Sequence, residues 1–211
     1  MSTEIFPNTQ LYDTGYCVIF AREISPVELL SRVSEGQIDP IYLSRLDAEA
    51  IKAFGEEIDE EDIPDLDFDA LQSSGMLVSG GPLLRAGAHN DWAFVVESEG
   101  PYLAKEGILK SASRGTVSLS VQLSETTAAW ISYAENGEIL SSFDPLFPEN
   151  DYGKEPSTLE ELTGYREAII GGDRAESYEN ALRKIQEALQ CAVPQEADAA
   201  RLLAVRIAGG Y

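Results

Sequence analysis

A chain of 211 residues that is 44% hydrophobic and 25% charged lies in the range of globular domains, and at this length about 70% of the unfolded surface can be buried, so one well-formed core is expected. Its 15 Lys and Arg stand against 37 Asp and Glu, and the resulting charge of -22 repels phosphate backbones and anionic headgroups, which argues against nucleic acid and membrane surfaces as partners. No run approaches the roughly 20 apolar residues that span a bilayer, and residues 1–10 carry neither the basic nor the apolar region of an export signal, so a cytoplasmic location is the expectation.

The run Tyr16-Cys17-Val18-Ile19-Phe20 is short and apolar on both faces, which predicts a central strand buried on both sides. Ser25-Pro26-Val27-Glu28 follows, with a capping hydroxyl, a proline at the first helical position and a glutamate three residues beyond the cap, and so predicts a helix to about residue 34, ended near Gly36. A second helix is expected over about 42–54 and is closed by Gly55. The pattern then turns to β, with a short run at 76–78, the turn Gly80-Gly81-Pro82 and a strand over 91–97.

A short helix is expected over 102–110. In the stretch 116–123, Val117, Leu119, Val121 and Leu123 alternate with Thr116, Ser118, Ser120 and Gln122, which predicts an antiparallel strand with its hydroxyl face in solvent. Asn136-Gly137 favours the positive φ angles of a two-residue turn and predicts a hairpin of 129–134 with 138–143. Helices are expected over 158–170, 174–191 and 196–207. The predicted architecture is one α+β domain over 1–211, with a mostly antiparallel sheet of five to six strands packed against several helices and a helical part at 157–207.

Between these elements the composition shifts abruptly. Nine carboxylates, Glu56, Glu57, Asp59, Glu60, Glu61, Asp62, Asp65, Asp67 and Asp69, occur in 14 residues that hold no Lys or Arg, and an exposed acidic loop or insertion is expected. Asp65-x-Asp67-x-Asp69 is similar to the first half of a calcium loop, but Ala70 replaces the glycine and Met76 the bidentate glutamate that such a loop needs. No metal site is expected here.

Recognisable catalytic chemistry is sparse. His89 is the single histidine, which excludes two-histidine metal sites, and no Gly-x-Ser-x-Gly nucleophile accompanies it. Neither a Walker loop nor a Gly-x-Gly-x-x-Gly motif is present, so no cofactor is expected. Cys17 and Cys191 read as buried structural thiols in a reducing compartment, and Trp92 and Trp130 read as core anchors.

Several segments together resemble a family of uncharacterised bacterial proteins common in actinobacteria. They are Tyr16-Cys17-Val18-Ile19-Phe20 with Ile24-Ser25-Pro26-Val27-Glu28-Leu29-Leu30, the strand holding Trp92, Ser113-Arg114-Gly115-Thr116-Val117-Ser118-Leu119, and Tyr133-Ala134-Glu135-Asn136-Gly137-Glu138. The block Ser142-Phe143-Asp144-Pro145-Leu146-Phe147-Pro148-Glu149 with Tyr152-Gly153 completes the match. The resemblance implies a small α+β fold and carries no established activity. Within the matched block Asp144 and Arg114 are candidates for lining a ligand pocket.

The functional expectation is a non-enzymatic acidic protein-binding module, most concretely an immunity or inhibitor protein that occludes a basic toxin or nucleic-acid enzyme through the 56–69 carboxylates. A carboxylate-dependent hydrolase or transferase and a scaffold subunit are the alternatives. The first requires a concave site with converging acids, the second a large apolar patch.

Overall fold

The computed structural model describes residues 12, 14–34, 38–78, 80–99, 101–124, 129–170 and 176–207, and the side chain of Glu56 lies outside that description. Eight strands form one sheet in the order β2-β8-β3-β4-β1-β5-β6-β7, with every described pairing antiparallel. They are β1 (Gly15–Arg22), β2 (Ile41–Leu43), β3 (Leu83–His89), β4 (Trp92–Ser98), β5 (Val117–Ser124), β6 (Ala129–Glu135), β7 (Glu138–Phe143) and β8 (Leu202–Arg206). The α+β class and the antiparallel sheet agree with the sequence reading, while the strand number exceeds it.

β1 is central and buried on both faces, as its unbroken apolar run requires. Tyr16, Val18 and Phe20 face one layer, in which they pack with Phe94, Leu119, Val121 and Ile131 beneath helices α5 (Thr158–Thr163), α6 (Tyr165–Ile169) and α7 (Ser177–Leu189). The Phe143 and Tyr165 rings stack at 4.0 Å between centroids and tie β7 to α6. Cys17, Ile19 and Ala21 face the opposite layer under α1 (Pro26–Val33) and α4 (Glu106–Ala112), which supply Leu29, Leu30, Val33, Ile108, Leu109 and Ala112. A third cluster lies near the β2 end of the sheet, where α2 (Arg45–Phe54) and α3 (Phe68–Ser73) cover Leu43, Leu83 and Ala204.

The local signals formed as chemistry dictates. Ser25 Oγ accepts the Glu28 amide at 3.1 Å with Pro26 at the first helical position, and α1 ends at Val33, while Gly36 lies outside the described residues. Asn136 and Gly137 hold φ of 51° and 85° in a two-residue connection between β6 and β7.

The helix expected over 42–54 begins at Arg45 because residues 41–43 pair with β8 as β2, and the helix expected over 158–170 is divided into α5 and α6 at Gly164, whose φ is 64°. Four further expectations change in the structure. The helix predicted over 196–207 is instead α8 (Gln195–Ala199) followed by β8, because Leu202, Ala204 and Val205 are buried between β2 and β3, and sheet pairing overrides the helical leaning of Leu and Ala. The run 76–78 is a turn; the strand there is β3, whose pattern is hidden by Arg85, Gly87 and Ala88. The helix of 102–110 begins only at Glu106. The hydroxyl face of β5 is not solvated: Ser118 and Ser120 are buried, as are Ser132 and Ser142 on β6 and β7, where Ser132 Oγ and Ser142 Oγ lie 2.6 Å apart. Ser132 and Ser142 satisfy one another and Ser120 Oγ lies 3.6 Å from Cys17 Sγ, whereas Ser118 Oγ is buried with no hydrogen-bond partner among the described residues and occupies the covered face as a small side chain.

Candidate protein-docking face

The acidic segment is folded. After α2, a 3-10 turn (Gly55–Glu57) leads into successive turns, with the Asp62 amide bonded to the Asp59 carbonyl at 3.2 Å and the Leu66 amide to the Ile63 carbonyl at 3.0 Å. Ile58 and Ile63, 3% and 4% exposed, drop into the cluster of Leu43, Ala48, Ile51 and Leu71, which fixes the backbone and turns the intervening polar side chains outward. Glu57, Asp59, Glu60, Glu61, Asp62, Asp65, Asp67 and Asp69 are all exposed.

Three of these carboxylates have local tasks. Asp67 caps α3 by accepting the Ala70 amide at 3.0 Å, Asp59 accepts the Glu61 amide at 2.9 Å, and Asp62 accepts the Asp59 amide at 3.2 Å. Asp67 therefore turns one oxygen to the backbone, and among the described residues no three His, Cys, Asp or Glu side chains converge as metal ligands would. No Lys or Arg among the described residues forms an ion pair with any of the eight. Arg201 donates to the Asp65 carbonyl at 3.3 Å while its Nε lies 3.8 Å from Asp47.

Two carboxylates at a separation of about 7 Å repel by roughly 0.6 kcal/mol in water, and by less than half of that at physiological salt. They also follow the C-terminus of α2, the negative end of the helix dipole, where cations stabilise and anions cost about 0.3–1 kcal/mol. A cation from outside the chain would relieve both terms.

α2 adds an apolar surface beside this ridge. Its Ser44 capping box and its buried Ala48 and Ile51 fix its rotation, which leaves Leu46, 70% exposed, with Ala53 on the far side and Phe54, 52% exposed, on the flank at the C-terminal end. The two cations of the helix are already engaged: Arg45 lies 3.8 Å from Asp198, and Lys52 bonds Glu99 at 3.2 Å and Ser98 at 2.9 Å.

Buried polar groups elsewhere brace the fold. Asp198, 2% exposed, accepts from Tyr12 Oη at 2.8 Å and Arg85 Nη1 at 3.1 Å, and Arg85 Nη2 reaches the carbonyls of Asp198 and Ala200 at 2.6 and 3.1 Å, so α8 is locked onto β3. Burial and the adjacent Asp198 carboxylate push the Tyr12 hydroxyl well above the usual tyrosine range. Glu97, 2% exposed, accepts the amides of Tyr102 and Leu103 at 3.1 and 2.8 Å; burial raises its carboxyl while those amides oppose the shift.

A cavity of about 10 Å³ beside Arg85, Tyr12, Lys52 and Ser98 has room for a water molecule and no more. A larger cleft of about 460 Å³ lies between Ser34, Asp39, Ser73, Ser74 and Arg206, and its described lining carries one carboxylate, Asp39. Neither cavity gathers the pair of acids that the hydrolase alternative requires.

The remaining sequence candidates lie apart. Arg114 is exposed, and its carbonyl accepts from Arg32 at 2.7 Å near the Gly137 turn, whereas Asp144 follows the far end of β7 and accepts the Leu146 amide at 2.8 Å. β7 separates the two by about 20 Å. His89 ends β3 opposite Trp92. Burial pushes the Cys17 and Cys191 thiols up to about 12, which suppresses the thiolate at both. Trp92 is a core residue donating to the Leu189 carbonyl at 2.9 Å; Trp130 is half-buried at the sheet surface, donates to Ser142 Oγ at 2.7 Å and lies 5.9 Å from the Tyr152 ring.

The sequence reading did not single out Leu46, Phe54, Arg85, Asp198 or Glu97. The doubly apolar face of α2 was open to a helical-wheel count; the partners of Arg85 and Glu97 were not, since they depend on tertiary contacts. The fold and face define an acidic α+β protein with a folded carboxylate ridge next to an exposed apolar helix surface. The chain belongs to DUF6461, a family of unknown function, whose model matches residues 4–208. No curated protein and no solved structure matches it.

Proposed function

We propose that this protein is a non-enzymatic acidic binding module that captures a basic protein, and that it acts as an immunity or inhibitor protein against a basic toxin or nucleic-acid enzyme. The reading is carried by the ridge: eight exposed carboxylates on a backbone held by buried Ile58 and Ile63, with no described cation paired to them. A fixed array of like charge raises the local concentration of a basic partner and speeds encounter, at the expense of the self-repulsion it stores. The two buried free thiols, Cys17 and Cys191, support a reducing cytoplasm as the place of action.

The test neutralises four of the five ridge carboxylates that accept no local backbone amide, with Glu57→Gln, Glu60→Gln, Glu61→Gln and Asp65→Asn together. Association with immobilised polylysine and with a cationic ribonuclease is followed from low salt to about 0.3 M. The wild type should associate about tenfold faster than the variant at low salt and lose rate more steeply as salt rises. Equal rates and equal salt slopes would remove the ridge from the account.

A further inference from the structure

We infer that the outward face of α2, formed by Leu46, Ala53 and Phe54, is the anchor for this partner, and that the partner presents a basic amphipathic helix to it. The inference rests on the reading of the ridge as a dock for a basic protein and adds the surface that would hold the partner after encounter. Leu46 and Phe54 are 70% and 52% exposed at either end of α2, whose Ala48 and Ile51 are buried in the third cluster, and neither Leu46 nor Phe54 belongs to a core cluster of the described residues. Its residues span about 12 Å, two helical turns, which matches apolar side chains at i, i+4 and i+7 of a helix laid across it.

Charge selects the occupant. Glu57, Asp59, Glu60, Glu61 and Asp62 begin directly beyond the Phe54 end of α2, and Arg45 and Lys52 are both engaged with carboxylates of this chain, so a partner covering Phe54 meets carboxylates with Lys or Arg at its flank. A second copy would bring the same ridge and the same charge of -22 against this one, and an anionic bilayer would be repelled likewise. Apolar contact in the centre with opposite charge at the rim is the arrangement that gives a protein interface both hold and selectivity.

The probe is a synthetic amphipathic helix with leucines along one face and lysines along the other, compared with a scrambled peptide of the same composition and with polylysine. Binding is read by fluorescence anisotropy with the full-length chain. The wild type should bind the amphipathic peptide about tenfold tighter than the scrambled one. Leu46→Gln with Phe54→Gln, and separately Ala53→Lys, should abolish that preference; the Gln pair should leave the polylysine association rate unchanged.

All three positions are exposed, and each variant is admitted only if its thermal melt overlays that of the wild type. Preference retained in both variants, or no preference in the wild type, overturns the inference while a normal polylysine rate leaves the acidic dock standing. A dimer in sedimentation that the Gln pair dissolves also overturns it, since the face then belongs to a second copy. Loss of the ridge's effect on the polylysine rate is a separate outcome and removes the underlying reading instead.

Discussion

Replacing Asp198 by Asn keeps the shape of the side chain and removes the one carboxylate bonded to Arg85. In the folded protein Arg85 and Asp198 are 4% and 2% exposed, Oδ1 receives Tyr12 and Arg85, and Oδ2 accepts no hydrogen bond while lying 3.8 Å from the Arg45 Nε. At an effective dielectric near 20 the gross attraction of one such pair is about 5 kcal/mol. Much of it offsets desolvation, yet removing a single partner strands the guanidinium, which costs about 3–5 kcal/mol.

Arg85 keeps its bonds to the carbonyls of Asp198 and Ala200, and the Asn amide still accepts one hydrogen bond, so the lower figure, about 3 kcal/mol, is expected. For a chain of this length that is a fall of about 10 °C in the melting midpoint. Urea titration of wild type, Asp198→Asn, and the triple variant Tyr12→Phe, Arg85→Met and Asp198→Leu gives the comparison, and the triple variant should lie within about 1 kcal/mol of wild type because the buried guanidinium and the Tyr12 hydroxyl are removed with the carboxylate and the partly exposed Arg45 stays solvated. If Asp198→Asn itself lies that close, the buried pair does not brace α8 as argued.

Two further perturbations test other parts of the fold. Glu97→Gln removes a buried carboxyl whose folded value lies above the ordinary 4.5, so the native state takes up a proton more readily than the unfolded chain. The wild type therefore gains stability over the variant as pH falls from neutral towards 4.5, and loses it again as pH rises through the folded value; denaturant midpoints that move in parallel for the two proteins would contradict the shift. Gly153→Ala places a Cβ 2.2 Å from the Leu140 carbonyl oxygen at φ 132°, where the 152–155 segment is bonded to Ile139, Leu140 and Ser142. A loss of about 2–4 kcal/mol and early proteolysis between β7 and α5 are expected, and an unchanged cleavage pattern would show that the segment can shift without harm.

Local hydrogen bonds and short-range pattern made part of this protein legible from its residues. Ser25 caps a helix because its hydroxyl reaches an amide three residues on, Asn136-Gly137 turns because both residues tolerate positive φ, and β1 is central because five consecutive apolar side chains need cover on both sides. The carboxylates of 56–69 were visible as a count, and Ile58 and Ile63 as interruptions in it. That those two isoleucines would be buried, and the turn between them fixed, required Leu43, Ile51 and Ala204 to be gathered from distant parts of the chain.

Tertiary structure alone decided the rest. Residues 202–206 have the composition of a helix and become a strand because the gap between β2 and β3 offers backbone partners and cover on both faces. Arg85 and Asp198 stand 113 residues apart, and only the sheet makes them a pair. The amino-acid sequence determines what is satisfied within about one helical turn; closing long loops commits strands and charges to partners chosen by which buried groups can be paired at the same time, and that choice belongs to the whole fold.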